Sequence, residues 1–176
     1  MKHLIVLSFL LVASLSLQAQ EFRGLDKSPL DMVQFPTSNR ETNKSIRVIY
    51  SRPQLKGRAL SKLAPNGKVW RTGANEATEI TFNTPMKLGA TAIPAGSYSL
   101  YTIPGESEWT VIINKATNVW GAYNYDEAMD VARLQVPIQE GKESLEAFSI
   151  AFEAVDGGAH LHMGWDTLRV AVPFTN

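Results

Sequence analysis

The sequence predicts an all-β protein, an antiparallel β-sandwich of jelly-roll or immunoglobulin-like type with about eight strands and at most one short helix. Short segments in which apolar and polar residues alternate recur along the chain, as at Ile46, Val48 and Tyr50. Turns that contain glycine or proline separate these segments, and a helix is plausible only around residues 126–131. The chain has 176 residues, 44% of them hydrophobic, which fits one domain with its own core.

Turn chemistry defines two hairpins. Pro104-Gly105 separates two alternating segments, and Asp156-Gly157-Gly158 separates two more, since glycine accepts the positive φ of tight turns. The predicted strands cover residues 46–50, 79–83, 97–103, 109–114, 131–138, 146–154, 160–165 and 168–174.

Residues 1–20 have the layout of a secretory signal peptide. A basic start leads into an apolar stretch and then a small residue, so cleavage is expected near Ala19 or Gln20. The apolar stretch is shorter than the roughly 20 residues of a membrane span, and none is expected after cleavage. Residues 21–45 are predicted to form an N-terminal arm with one short edge strand, and residues 46–176 the single sandwich domain.

The chain contains no cysteine. This excludes disulfides, thiolate nucleophiles, zinc–thiolate sites and iron–sulfur clusters, and a lipid-attachment cysteine is missing as well. With the predicted signal peptide, the composition favours a periplasmic or secreted protein that is not a lipoprotein.

The net charge is zero, so nucleic acid is not expected as a partner. No cofactor is predicted, and the sequence leaves the oligomeric state open.

Residues 51–78 fit neither a strand nor a sustained helical pattern, apart from a candidate helical turn at Leu55–Leu63. Irregular connections beyond about 12–15 residues are uncommon in compact domains and are often functional. The segment is also basic, because no acidic residue lies between Glu41 and Glu76. Such a segment in a neutral chain indicates a site for an anionic group or a contact with an acidic surface. The basic residues of this interval are Lys44, Arg47, Arg52, Lys56, Arg58, Lys62, Lys68 and Arg71.

The same region carries a family resemblance. The strings that carry it are Tyr50–Pro53, Lys56–Arg58 and Val69–Thr78, followed by residues 93–100, 103–105, 120–121 and 165–166. Together they resemble an exported bacterial family known only as domain of unknown function 2911, over about Pro29 to Phe174. The chain departs from the pattern at Ser61, where glycine is more usual, and at the turn formed by residues 64–66. The family has no assigned activity, so the resemblance leaves function open.

The central segment offers chemistry for a small anionic or carbohydrate-like ligand. Arg71 supplies a planar fork of donors for an anion, and Asn75 both donates and accepts. Tyr50 and Trp70 offer an apolar wall for a sugar or aromatic ring. The predicted ligand-binding residues are Tyr50, Arg52, Lys56, Arg58, Trp70, Arg71, Asn75 and Glu76.

Two alternatives stay open. In an envelope structural or assembly protein, a buried Arg71–Glu76 pair would fix the long loop to the sandwich as a clasp. In a hydrolase-type enzyme, Glu76 would act as general acid or base, since burial raises the pKa of a carboxyl group. The chain lacks a Gly-x-Ser-x-Gly elbow, a phosphate-binding glycine loop and a His-Glu-x-x-His motif. No reaction is therefore assigned, and Glu76 is the one catalytic candidate.

Two histidines stand near the end of the chain. His160 and His162 share one face of a predicted strand, because residues i and i+2 point the same way. They are candidates for metal binding or proton transfer, but a site needs a third ligand, for which Asp166 and Glu153 are possible. Two ligands fall short of the usual three or four, so we expect exposed surface residues and no metal site.

Overall fold

The protein is described here by a computed structural model that covers residues 21–176, so the predicted signal peptide lies outside the described residues. The described chain is an all-β antiparallel sandwich built from nine strands. The strands are β1 (Leu30–Phe35), β2 (Ile46–Ser51), β3 (Thr78–Phe82), β4 (Met86–Leu88), β5 (Thr91–Ile93), β6 (Gly96–Ile103), β7 (Glu108–Asn114), β8 (Asp130–Val155) and β9 (Gly158–Thr175). Their order in the sheet is β1-β2-β3-β6-β7-β8-β9-β4-β5. The predicted fold class is confirmed.

Helical structure is limited to two short turns within residues 21–176. Helix α1 spans Leu60–Leu63, and a 3-10 turn spans Glu127–Met129. The side chain of Asp126 caps the 3-10 turn by accepting a hydrogen bond from the amide of Ala128 at 2.9 Å. The helix considered near residues 126–131 is thus a single turn. None of the helices between residues 21 and 176 has the length and hydrophobicity to cross a membrane.

Strand β9 folds back on itself. A straight strand of 18 residues would be about 60 Å long. The amide of Asn176, just after β9, nevertheless donates to the carbonyl of Gly157, just before it, at 3.0 Å. Asp166, near the middle of the strand, has a φ of 51°, the left-handed backbone of a tight turn. The two halves of β9 therefore lie side by side.

Strand β8 pairs with both outer edges of the folded β9. Residues 138–140 pair with residues 168–170, and residues 149–155 pair with residues 158–164. The first part of β8 also pairs with β7, so β8 belongs to both layers of the sandwich. The sequence predicted four separate strands here, because hydrophobic alternation marks each extended segment and does not show where a strand bends.

The core lies between the two layers and is rich in aromatic rings. Trp109 and Trp165 are each 1% exposed, as expected for core residues of a sandwich. The main cluster joins β2, β3 and β6 to both halves of β9. Its largest side chains include Tyr50, Trp70, Phe82, Trp109, Phe148, Trp165 and Phe174.

The opposite face of β2, β3 and β6 points away from this core. Ile49 pairs with Glu79, and Glu79 pairs with Ser99, so these three residues form a row across the outer face. Further along β6, Tyr101 is fully buried on the same face under Val119 and other residues of the neighbouring loops. Loop residues such as Val119 thus cover the part of the outer face around Tyr101. The row from Ile49 to Ser99 lies next to this covered part.

Candidate functional site

A cleft of about 430 Å³ opens on the outer face of β2, β3 and β6. Its floor is the row of Ile49, Glu79 and Ser99 together with Ser51. Its size falls within the range of small-molecule sites, about 300–1,000 Å³. The remaining lining residues come from β2, from the N-terminal arm and from two loops. They are Tyr50, then Arg23, Asp26, Ser28 and Leu30, and then Asn75, Glu76, Ala77, Asn118, Val119 and Trp120.

The two loops that form the wall of the cleft are tied together by backbone hydrogen bonds. We call residues 75–77 and 118–121 the wall loops. The carbonyl of Asn75 accepts hydrogen bonds from Arg71 Nη1 at 2.9 Å and from the amide of Gly121 at 3.1 Å. The amide of Ala77 donates to the carbonyl of Val119 at 2.9 Å. Because these contacts are internal to the fold, the wall is formed before any ligand arrives.

The segment that precedes the wall loops is fixed to β6. Trp70 and Thr102 exchange two backbone hydrogen bonds of 2.7 and 3.0 Å, and the hydroxyls of Thr72 and Thr102 lie 3.1 Å apart. A side chain at Gly73 would place its Cβ 3.0 Å from the carbonyl oxygen of Ser51. Glycine at position 73 therefore lets two stretches of backbone pack closely.

Trp70 lies in the core and is 7% exposed. Its ring stacks on Trp165 at a centroid distance of 5.6 Å and an interplanar angle of 17°. The edges of its ring system meet Trp109 and Phe148 at 5.9 and 5.0 Å. The alternation of a strand does not extend to an irregular loop, so the sequence could not show which way Trp70 points. Its ring contacts other aromatic residues and offers no wall to a ligand.

Tyr50 is also a core residue, 2% exposed. Its hydroxyl accepts a hydrogen bond from the amide of Ile150 at 2.9 Å, and its ring meets Phe148 edge-on. Burial raises the pKa of Tyr50 above its ordinary value of 10.0. Although Tyr50 borders the cleft, its hydroxyl is engaged with β8 on the core side.

Arg52 joins β1 to β8. Its guanidinium donates to the carbonyl of Phe148 at 3.1 Å, to Asp31 Oδ2 at 3.1 Å and to the hydroxyl of Ser149 at 2.7 Å. Arg52 does not line the cleft, and its donors are occupied by structural partners.

Lys56 and Arg58 lie outside the cleft as well. Arg58 donates to the carbonyls of Leu55 and Gln54 at 2.9 and 2.7 Å. The backbone amide of Lys56 donates to Glu146 Oε1 at 2.7 Å. Both residues border a separate groove. Arg52, Lys56 and Arg58 therefore do not converge with Arg71 on the cleft.

Arg71, Asn75 and Glu76 do lie together at the wall. Asn75 and Glu76 line the cleft, whereas Arg71 lies behind them with its guanidinium 5.7 Å from the ring centroid of Tyr123. Glu76 is exposed, and its backbone forms a bridge with Trp120. The ion pairs found within residues 21–176 involve neither Arg71 nor Glu76. The side chains of these two residues therefore do not form the buried clasp considered from the sequence.

The cleft contains functional groups that were not predicted from the sequence. Glu79 stands between buried Thr78 and Ile80, so strand alternation already indicates that it points outward. Trp120 is 57% exposed, while the other three tryptophans are at most 7% exposed. No local pattern indicates that Arg23 would reach the same cleft, because that contact depends on how the arm folds over the sheet.

Asp26 brings the arm to the wall loops. Its Oδ1 accepts a hydrogen bond from the amide of Ser28 at 2.7 Å. This bond, and after it the side chain of Asn75, lowers the pKa of Asp26 below its ordinary value of 3.8. Among residues 21–176, the charged residues that line the cleft are thus three carboxylates, Asp26, Glu76 and Glu79, and one cation, Arg23.

A family model described as protein of unknown function (DUF2911) matches residues 28–174. The match includes all nine strands apart from the last residue of β9, and it includes both wall loops. Searches of the curated proteins and of the solved structures found no match. The resemblance seen in the motifs around Trp70 and Arg71 is confirmed, and the chain belongs to the DUF2911 family.

Proposed function

We propose that this protein is an exported binding module whose ligand is a small, neutral, carbohydrate-like molecule held in the cleft over β2, β3 and β6. The observation that carries the proposal is the position of Trp120. It is the exposed tryptophan of the chain, and it lies on the wall of a cleft that also presents carboxylate and amide groups.

The chemistry of the lining suits a sugar. A sugar ring has an apolar C–H face that stacks on an aromatic ring such as that of Trp120. Its hydroxyls both donate and accept, so they match the acceptors of Glu76 and Glu79 and the amides of Asn75 and Asn118. Few but well-placed polar groups on a largely apolar surface are typical of small-molecule sites.

The balance of charge supports a neutral ligand over an anionic one. Three carboxylates and one arginine line the cleft, and like charges at short range disfavour an anion. Arg52 and Arg58 are engaged with protein acceptors elsewhere. Of the two ligand classes considered from the sequence, the carbohydrate-like class therefore has the stronger support.

A second candidate is a hydrolase that acts on such a ligand. Glu76 and Glu79 both line the cleft, and two carboxylates on either side of a glycosidic bond perform glycoside hydrolysis in most families. Product analysis with the sugars that bind distinguishes the two functions, because a binding module releases its ligand unchanged.

Export is supported by the N-terminal sequence alone. The basic start and apolar stretch of residues 1–20 fit a cleaved leader. Expression of the full chain in a Gram-negative host, followed by fractionation and N-terminal sequencing, tests this part. A mature protein that begins near Glu21 is expected outside the cytoplasm, and an uncleaved cytoplasmic protein would contradict it.

The ligand is tested by titrating residues 21–176 with neutral sugars, and with uronic acids and sugar phosphates as charged counterparts. Binding of a neutral sugar is expected to change the tryptophan fluorescence, since Trp120 is the exposed fluorophore. Trp120→Ala and Glu79→Gln should each lower the affinity by about tenfold or more, as expected for one stacking contact or one hydrogen bond to a charged group.

Glu140→Gln is the matched control, because Glu140 is an exposed carboxylate on β8 that does not line the cleft. Binding of the charged sugars alone, or equal affinities for the parent and both cleft variants, would contradict the proposal.

A further inference from the structure

Three side chains able to bind a metal meet where β8 is joined to β9, on the face of this hairpin that points away from the core. Glu153 pairs directly with His160, and Ala151 pairs with His162. Directly paired residues of antiparallel strands point to the same face, so one carboxylate and two imidazoles stand together. Leu161, between the two histidines, is fully buried and points the other way.

The donor atoms are already close. His162 Nε2 lies 2.7 Å from Glu153 Oε2, and the ring centroids of the two histidines are 6.0 Å apart. One donor atom from each of Glu153, His160 and His162 lies within 4.8 Å of the other two. The hydrogen bond joins Glu153 to His162, and the register of β8 and β9 places His160 directly opposite Glu153, so the backbone holds all three donors on one face.

The donor set selects a class of metal. Imidazole nitrogen favours Zn²⁺, Cu²⁺ and Ni²⁺, whereas Ca²⁺ and Mg²⁺ prefer sites made entirely of oxygen. Two histidines and one carboxylate are three protein ligands, the number that leaves a position for water or an added ligand. A closed structural site would need a fourth protein donor.

The geometry points to a binding site for a divalent first-row transition metal, held by Glu153, His160 and His162 on the β8–β9 hairpin. This departs from the sequence-level expectation of no metal site. Of the two third ligands considered from the sequence, Glu153 on β8 lies with the histidines. The site is independent of the cleft, whose lining residues include none of these three.

Small side-chain movements are enough to assemble the site. Donors at 2.0–2.1 Å from a tetrahedral Zn²⁺ stand about 3.3 Å apart. The pair at 2.7 Å must therefore open slightly, and no other pair, each within 4.8 Å, needs to close by more than about 1.5 Å. The side chains of His162 and Glu153 are 41% and 61% exposed, so their torsions rotate without repacking the core. The backbone pairing of β8 with β9 holds their Cβ atoms in place.

The test uses residues 21–176 with any histidine tag removed. Isothermal titration with Zn²⁺ is expected to show one saturable site, and titration with Mg²⁺ none. His160→Gln, His162→Gln and Glu153→Gln should each weaken Zn²⁺ binding by tenfold or more, at least as much as second-shell changes do. Asp156→Asn is the control, because this exposed carboxylate lies in the same hairpin and outside the donor set.

His160→Gln is the decisive variant, since His160 takes no part in the hydrogen bond between Glu153 and His162. Electron paramagnetic resonance of the Cu²⁺-loaded protein should show coupling to two imidazole nitrogens, and to one nitrogen after His160→Gln. Parent protein that does not bind Zn²⁺, or Zn²⁺ affinity and Cu²⁺ spectra unchanged by His160→Gln, would overturn the proposal. Urea unfolding of the metal-free variants is the control that checks whether each variant is folded.

Discussion

Arg71 Nη1 donates a hydrogen bond of 2.9 Å to the backbone carbonyl of Asn75, and its guanidinium makes no ion pair with the adjacent Glu76. The amide of Gly121 reaches the same carbonyl at 3.1 Å. The Arg71 side chain therefore binds the same carbonyl that joins the two wall loops. Glu76 lines the cleft.

Arg71→Met is expected to lower the free energy of unfolding by about 1 kcal/mol, the value of one hydrogen bond whose acceptor keeps a second donor. It should also weaken ligand binding in the cleft, because the joint between the wall loops loses a contact. Urea unfolding measures the first effect, with Arg47→Met on β2 as the control. A loss of about 3 kcal/mol or more would instead indicate a buried ion pair at Arg71.

Glu76→Gln is expected to change the free energy of unfolding by at most about 0.5 kcal/mol, because exposed groups without specific contacts contribute little. Arg52→Met should cost about 2 kcal/mol, since it removes three hydrogen bonds to Asp31, Phe148 and Ser149. Arg52 and Asp31 are each more than one third exposed, so their ion pair adds little to that sum. Urea unfolding of the parent and of both variants measures these changes in the free energy of unfolding. A large loss for Glu76→Gln would indicate that Glu76 forms the buried ion pair of the clasp.

Tyr101→Phe is expected to leave stability unchanged or to raise it by about 1–2 kcal/mol. The hydroxyl of Tyr101 is buried near the side chain of Ser99 but forms no well-aligned hydrogen bond among residues 21–176, and removal of such a group relieves a desolvation cost. Tyr125→Phe is the contrasting variant. Its hydroxyl donates to Asp130 at 2.6 Å and accepts from Arg133 at 2.7 Å, so a loss of about 1–2 kcal/mol is expected. A marked loss for Tyr101→Phe in thermal unfolding would reveal a partner for that hydroxyl.

Stability is expected to fall as pH rises from about 10 to 12. Burial, and after it the hydrogen bond to Asp130, raises the pKa of Tyr125 from 10.0 to about 12. Over this interval the unfolded chain releases the phenolic proton while the folded chain retains it, so the contribution is complete below pH 10 and is lost through pH 12. Tyr125→Phe should flatten this part of the profile of unfolding free energy against pH. An equal slope in parent and variant would contradict the assignment.

Local patterns predicted much of the fold. The Pro104-Gly105 turn between two alternating segments predicted the β6–β7 hairpin correctly, because turn type and alternation are properties of neighbouring residues. Strands β4 and β5 were not predicted, since each has three residues, too few to display a period of two.

The site depended more on distant contacts. The irregular, basic character of residues 51–78 predicted the segment that carries Asn75 and Glu76, and both line the cleft. Arg52 was predicted to lie with them, but its partners on β8 lie nearly a hundred residues further along the chain. The direction of a side chain in an irregular loop follows from tertiary packing, so it cannot be predicted from the periodic patterns that mark helices and strands.

Strand β8 belongs to both layers of the sandwich, pairing with β7 in one and with both edges of β9 in the other. The two layers therefore cannot separate from each other without breaking the backbone pairing of β8 with β7 or with β9. This continuity couples the layers into one cooperative unit, so the near-ultraviolet circular dichroism of the tryptophans around Trp70 and the far-ultraviolet signal of the strands should be lost at the same urea concentration. Two separate transitions would mean that one half of the sandwich unfolds independently of the other.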